Sequence, residues 1–357
     1  MSGNASRLEW VDMAKGLSIL LVVMMHSAFG VGEETGATGY LHWVIAWASP
    51  FRMPEFFAIS GLFLSQVIAR DWARYADRRI VHYFYFYALW ALIHILFKVA
   101  LGAGDPLMAL SYIGWAIVEP YGVLWFIYML GVFSAVTKFL HEIRAPHLAV
   151  LGFAAVLQMA PIHLGSYIVD QFAEYFVYFY AGYVLAPQLF RLVEWTERHL
   201  ALATAGLAAW ALIETALVFS PGFAVMPGAV NGGLSELPGL HLILALLGAG
   251  ALCVFAALLT RLPFMDWLRW MGSKSIVIYL AFALPMAVSR TVLMKLGVIS
   301  DTGLLSTIVM VVAIVSPLVL YWLVERTGWG KFLFERPAWA HIPGTPGSRN
   351  YQAVPAE

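Results

Sequence analysis

Three ionisable side chains near the N-terminus are spaced to share one face of a helix: Asp12, Lys15 and His26. Lys15 and His26 are eleven residues apart, which at 100° per residue goes about 20° past three full turns. They lie on one face, ~16 Å apart along the axis, with Asp12 about 40° from His26. An imidazole is the usual general base near neutral pH, and an ammonium three turns away could hold an anionic group. The same residues also fit a plainer role, in which His26 hydrogen-bonds a neighbouring helix and Lys15 reaches for a membrane interface.

Other polar groups stand where carrying them is costly. Glu55 follows Phe51-Arg52-Met53-Pro54 in an otherwise apolar run, and its carboxylate needs a cation, for which Arg52 and Arg290 are the candidates, or a proton. Further on, Arg70, Arg74, Arg78 and Arg79 fall within ten residues. Guanidinium forks suit phosphate oxygens, although a basic cluster beside a span also serves orientation and anionic lipid. His82 and His94 lie twelve residues apart, and His42 and His241 sit near the ends of apolar runs. No metal-binding spacing, phosphate-loop or serine-elbow motif occurs.

These residues need elements to position them, and composition says which. Of 357 residues 61% are hydrophobic and 12% charged, with 21 basic and 21 acidic side chains and mean hydropathy +0.79. Soluble domains have about 45–50% apolar and about 25% charged residues, so an ordinary globular or disordered chain is excluded. Zero net charge argues against nucleic acid as a partner. The single Cys253 leaves no disulfide and no cysteine-based metal site. The expected class is an all-α polytopic membrane protein.

Ten stretches approach the ~20 residues of a crossing: 13–30, 50–69, 80–101, 122–140, 147–163, 168–189, 200–219, 239–259, 274–295 and 303–324. With the N-terminus inside, sixteen of the 21 Lys and Arg residues fall on the inner side, Arg7 among them. The outer loops 31–40, 102–121, 161–167, 220–238 and 296–302 have none. The positive-inside rule therefore predicts about ten transmembrane helices, N-in and C-in. Lys15, Arg52, Lys98, Arg290 and Lys295 remain within or at the edges of spans. The run Leu17–Met25 has the length of a signal-peptide core, but the acidic arm before it and the missing cleavage pattern favour a retained first span. One domain is expected over 1–336, followed by a flexible cytoplasmic tail over 337–357, where Pro, Gly and polar residues dominate.

Taken in order, the motifs resemble the integral-membrane acyltransferase family 3, the glycan O-acyltransferases that include Nod-factor acetyltransferases and glucan succinyltransferases. The matching residues are Lys15 with His26 after ten intervening residues, and Phe51-x-Met53-Pro54-x-Phe56-Phe57-x-Ile59-Ser60-Gly61. The arginine-rich connection, Leu124-Trp125-Phe126-Ile127 and Gly272-x-x-Ser275 through Tyr279-Leu280 complete the series. The sequence departs from the family pattern in carrying Lys15 for a frequent arginine, Glu55 for an apolar residue, and Ala281-Phe282-Ala283 where many members have histidine.

The resemblance implies an enzyme of a bacterial inner membrane that moves an acyl group, acetyl first among them, from acyl-CoA to a carbohydrate or lipid-linked glycan hydroxyl. It implies His26 as catalytic base with Lys15 and Asp12 beside it, and Arg74, Arg78, Arg79, Glu55, Trp125 and Tyr279 as donor- or substrate-binding residues. No permanently bound cofactor, no metal and no helper domain are expected. The rival reading is a proton-coupled transporter using Glu55, His26, Asp12 and Arg290 as a relay, although no internal repeat of the kind transporters often show is visible.

Overall fold

The computed structural model describes residues 3–349 other than 103 and 163, with side chains from Glu9 onward, so the Arg7 side chain and residues 350–357 lie outside the described residues. Helix α1 (Gly3–Thr35) is the axis of the molecule. Its apolar stretch spans 27 residues from Glu9, which at 1.5 Å per residue is ~40 Å, enough to cross a bilayer. It is surrounded by α2 (Tyr40–Ala48), α3 (Arg52–Leu62) and helices from the second half of the chain. Pro54 sits in the first turn of α3, where its missing N–H is harmless.

A 31-residue helical rod then runs from Trp72 to Gly102. It comprises α4 (Trp72–Ala76), a π-helical turn at Asp77–Val81, α5 (His82–Ile95) and a second π turn at Leu96–Gly102. A side chain starts the rod, since Asp71 accepts the Arg74 N–H at 3.0 Å. Next come α6 (Pro106–Trp115), α7 (Trp125–Glu142), α8 (His147–Met159), α9 (Tyr167–Val184), α10 (Ala186–Arg198) and α11 (Leu200–Val218). A two-stranded antiparallel hairpin follows, β1 (Phe223–Met226) with β2 (Ala229–Gly232), closed at Pro227-Gly228 in the register Met226–Ala229. The chain continues through α12 (Pro238–Leu259), α13 (Asp266–Ser273), α14 (Ser275–Ala281), α15 (Ala283–Leu296) and α16 (Thr302–Thr327).

Among the described residues six helices are long and apolar enough to cross a membrane. The number rises to eight if two bent pairs, α9 with α10 at 68° and α14 with α15 at 55°, each count as one span. The expected ten differ at 50–69 and 147–163. Helix α3 has eleven residues and α8 thirteen, well under the ~20 of a crossing. Hydropathy reads continuous apolar character, whereas the helix ends at Leu62 and the chain runs on to Arg70 in turns. Those turns are held by Lys138. Its ammonium donates to the Ile68 and Arg70 carbonyls, each at 2.8 Å, and pairs with Glu142.

Glycines set the two closest helix crossings. A Cβ on Gly272 of α13 would lie 1.7 Å from the Asp12 carbonyl oxygen, and one on Gly16 would lie 2.4 Å from that of Leu268. Likewise a Cβ on Gly61 would lie 2.2 Å from Phe179 O, and one on Gly182 2.0 Å from Ala58 O. Backbones therefore touch between α1 and α13 and between α3 and α9, a contact that small residues permit in membrane bundles.

The stretch from Pro337, which composition reads as a tail, is tied down as far as it is described. Asp77, 1% exposed, accepts from Arg336 Nη2 at 2.5 Å and from the Ile342 N–H at 2.8 Å, and its Oδ2 lies 3.0 Å from His341 Nδ1. Arg336 Nη1 also donates to the Asp77 carbonyl at 2.7 Å. The Tyr85 hydroxyl and the Trp90 indole N–H donate to the Phe332 and Leu333 carbonyls, both at 3.0 Å.

Candidate functional site

The α1–α13 contact leaves a cavity of about 270 Å³ beside the N-terminal half of α1. Its wall brings together Lys15, Ser60, Arg79, His82, Ser275 and Tyr279. Five sequence motifs thus meet there, from α1, α3, the first π turn, α7 and α14. Each has a local reason to be in place. Lys15 is drawn toward Asp12, 3.6 Å away, and over the Phe63 ring at 5.9 Å. Arg79 leans on the Tyr83 hydroxyl at 3.5 Å. A π turn inserts one extra residue per turn, re-aims the side chains it carries, and is frequent at functional sites.

Tyr279 has a second task. Its hydroxyl donates to the Val123 carbonyl at 2.6 Å and accepts the Ile127 N–H at 3.3 Å. That fixes the turn that starts α7, including Trp125, which packs against Phe57, Tyr167 and Tyr175 at centroid distances of 5.5–6.0 Å. Trp125 is therefore an aromatic brace away from the cavity.

His26 is three turns further along α1. Its ring packs on Phe282 at 5.5 Å, and Phe282 in turn neighbours Tyr279 at 6.5 Å. Among the described residues the His26 ring has no hydrogen-bond partner, only the ring contact with Phe282. His42 shows the opposite arrangement. It accepts the Gly39 N–H on Nδ1 at 3.1 Å, so Nε2 carries the proton and donates to Pro227 O at 3.0 Å. Both of its nitrogens are spent on structure.

Burial acts on His26 most strongly, and two cations from other elements, Arg52 and Lys98, act on it through charge. Helix α3 delivers Arg52 from its first turn, and the second π turn delivers Lys98. Sequence reading left Lys98 as an unassigned cation within a span and offered Arg52 only as a partner for Glu55. The signal was present in their cost, since a cation in an apolar run is retained for a partner or a pathway.

Other candidates fall elsewhere. Glu55 is 0% exposed, and its two oxygens lie 2.7 and 2.8 Å from the Ser18 hydroxyl, which also reaches Ala14 O at 2.7 Å. Neither Arg52 nor Arg290 pairs with it; Arg290 instead meets Glu34 at 2.7 Å. Glu55 therefore bolts α3 to α1 through Ser18 and lies off the cavity wall. Arg74 is exposed and pairs with Asp71 at 3.4 Å, and Arg78 is exposed. Of the three arginines proposed for the donor, Arg79 alone lines the cavity. His82, weak by sequence, lines it as well. No group of three or more His, Cys, Asp or Glu side chains among the described residues could hold a metal ion.

Set against known proteins, residues 8–323 match a family described as an acyltransferase domain. No curated protein and no solved structure matches the chain.

Proposed function

The chain belongs to that acyltransferase family, a membrane enzyme class, and from this premise we propose that it acylates a carbohydrate hydroxyl with acyl-CoA as donor. The observation that carries this reading is the placement of two functions on one helix face. Lys15 lines a cavity with Arg79 and His82, and His26 follows eleven residues along α1. The ~16 Å between them suits a donor whose phosphates sit at one end and whose thioester lies at the end of an extended pantetheine arm. Lys15 and Arg79 hold phosphate oxygens through charge-assisted bonds. His26 accepts the proton of the acceptor hydroxyl, the oxygen attacks the thioester carbonyl, the C–S bond breaks, and the thiolate leaves with the proton from the imidazolium. Base catalysis of this kind contributes about 10²–10⁴-fold.

The positive-inside pattern supports cytoplasmic N- and C-termini, an orientation in which Lys15 and Arg79 face the side where acyl-CoA is found, and a bacterial inner membrane follows from the family resemblance. A count of ten crossings requires α3 and α8 to complete their spans with the turns that follow them. Acetyl is the acyl group favoured by the family resemblance, and a glycan or lipid-linked sugar is the acceptor class. Family membership decides for an enzyme over the transporter reading.

The test is thiol release from acetyl-CoA by protein in nanodiscs, with a panel of glycans. Glycan-dependent release that His26→Ala abolishes supports the reading. Release that needs no glycan and survives His26→Ala overturns it.

A further inference from the structure

The segment beyond α16 closes on a residue that helps to frame the cavity. Asp77 opens the five-residue π turn Asp77–Val81, and Arg79, two residues on, lines the cavity with Lys15 and His82. Arg336 grips Asp77 twice, at the main-chain carbonyl through Nη1 at 2.7 Å and at Oδ2 through Nη2 at 2.5 Å. The Ile342 N–H takes Oδ1 at 2.8 Å. The His341 Nδ1 lies 3.0 Å from Oδ2 and 2.8 Å from Arg336 Nη2. Both partners of the central pair are buried, so the bonds are sheltered from competing water.

The bond to the carbonyl is the informative one. Anchoring a tail needs only the carboxylate, whereas a guanidinium that holds the carbonyl and the carboxylate of one residue also fixes the direction of its main chain. That main chain begins the π turn. Such a turn holds one residue more than an α turn, and its relaxation would swing the residues ahead of α5 by as much as ~100°, taking Arg79 off the cavity wall. The neighbouring arginines show the consequence of position along this stretch, since Arg74 and Arg78 are exposed and Arg79 is half-buried. The same segment also packs along α5, with Trp339 on Tyr85 at 6.0 Å and Phe334 on Trp90 at 5.8 Å. Neither Tyr85 nor Trp90 is part of the cavity wall.

We propose that Asp77 and Arg336 are positioning residues for donor binding. The C-terminal segment holds the register of the π turn and so aims Arg79 at the phosphates of acyl-CoA, with no contact of its own to the donor. The proposal rests on the reading of Arg79 as a donor-phosphate ligand.

The test is binding of radiolabelled acetyl-CoA to the full chain in phosphatidylcholine nanodiscs, which needs no acceptor. Arg79→Ala sets the scale, with Kd raised roughly tenfold. Arg336→Gln, which loses the charge and the fork, is expected to raise Kd by a similar factor with the number of binding sites unchanged; a merely structural loss would lower the number of sites and leave Kd alone. His341→Ala, which keeps the Arg336–Asp77 pair, should give a smaller rise. In the Arg79→Ala/Arg336→Gln protein the two losses should not multiply, because both act through one side chain. Thermal midpoints report whether each variant folds. Wild-type Kd in a folded Arg336→Gln protein overturns the proposal, as does a double variant whose losses multiply. Should Arg336→Gln not fold, wild-type Kd in a folded His341→Ala protein overturns it. Wild-type Kd in Arg79→Ala removes the donor reading of Arg79 and the proposal with it, so the variant that is silent tells the two failures apart.

Discussion

The two halves of α1 handle charge in opposite ways. Toward the N-terminus each ionic group has a neighbour of its own, Lys15 with Asp12 and Arg79 with Tyr83, around an open cavity. Toward the C-terminus, Arg52 and Lys98 act on His26 through charge and form no ion pair among the described residues. A π turn at each end of α5 supplies one cation to each half, Arg79 to the first and Lys98 to the second. The difference teaches that the ionic groups of the first half are paired within the protein, whereas Arg52 and Lys98 in the second form no ion pair among the described residues. Substitutions in the first should therefore show as donor affinity and stability, and those at His26 as rate.

The largest expected effect breaks the comparison by separating the helices. Gly272→Val places a side chain against the Asp12 carbonyl, where even a Cβ would sit 1.7 Å away. The cost should exceed the ~1–3 kcal/mol of ordinary overpacking. The protein should lose its monodisperse peak in size-exclusion chromatography, and a stable variant with an unchanged thermal midpoint would show that α1 and α13 are not in backbone contact.

His26→Ala comes next, with kcat for transfer down about 10²–10⁴-fold and donor KM little changed. Should kcat fall less than threefold while His82→Ala abolishes turnover, the base belongs to the cavity and not to the second half. Asp77→Ala follows. It removes the carboxylate that Arg336, His341 and the Ile342 N–H share, and leaves Arg336, 4% exposed, without its partner. Breaking a buried pair from one side costs about 3–5 kcal/mol. The thermal midpoint should drop, and proteolysis near residue 340 should accelerate; resistance equal to wild type would mean that the C-terminal segment is held by other contacts. The smallest effect is Arg74→Ala, whose exposed pair with Asp71 is worth about 0.2–1 kcal/mol. Donor KM should change less than threefold, and a larger rise would return Arg74 to the donor site.

How far the sequence reaches can be judged residue by residue. The all-helical membrane class was legible because composition alone excludes the alternatives. The Lys15–His26 spacing was legible because helix geometry is fixed within one element. Gly61 and Gly272 stood out as motif positions, yet their reason, carbonyls of other helices lying within 2.2 Å of a would-be Cβ, exists only between elements. Glu55 was read as needing a cation or a proton, and its neighbour is neither Arg52 nor Arg290 but a hydroxyl 37 residues away, a pairing between elements that hydropathy does not record. The clasp on Asp77 joins positions 259 to 265 residues apart through Arg336 and His341. The surrounding Pro and Gly residues read as a loose tail because composition records average character, not two anchoring side chains. Arg74, Arg78 and Arg79 were alike in sequence, and the π turn separates them by aiming Arg79 alone inward.

The most direct test of the division along α1 is a side-by-side measurement of donor KM and kcat in Lys15→Ala/Arg79→Ala and in His26→Ala. Charge-assisted bonds are worth about 1.5–3 kcal/mol, so losing those two donors should raise the acyl-CoA KM by roughly tenfold or more with kcat largely retained. His26→Ala should do the reverse, losing kcat with KM retained. A collapse of kcat in the Lys15→Ala/Arg79→Ala protein at saturating donor, or a His26→Ala protein whose defect is confined to KM, would contradict the assignment of donor binding to one half of α1 and proton transfer to the other.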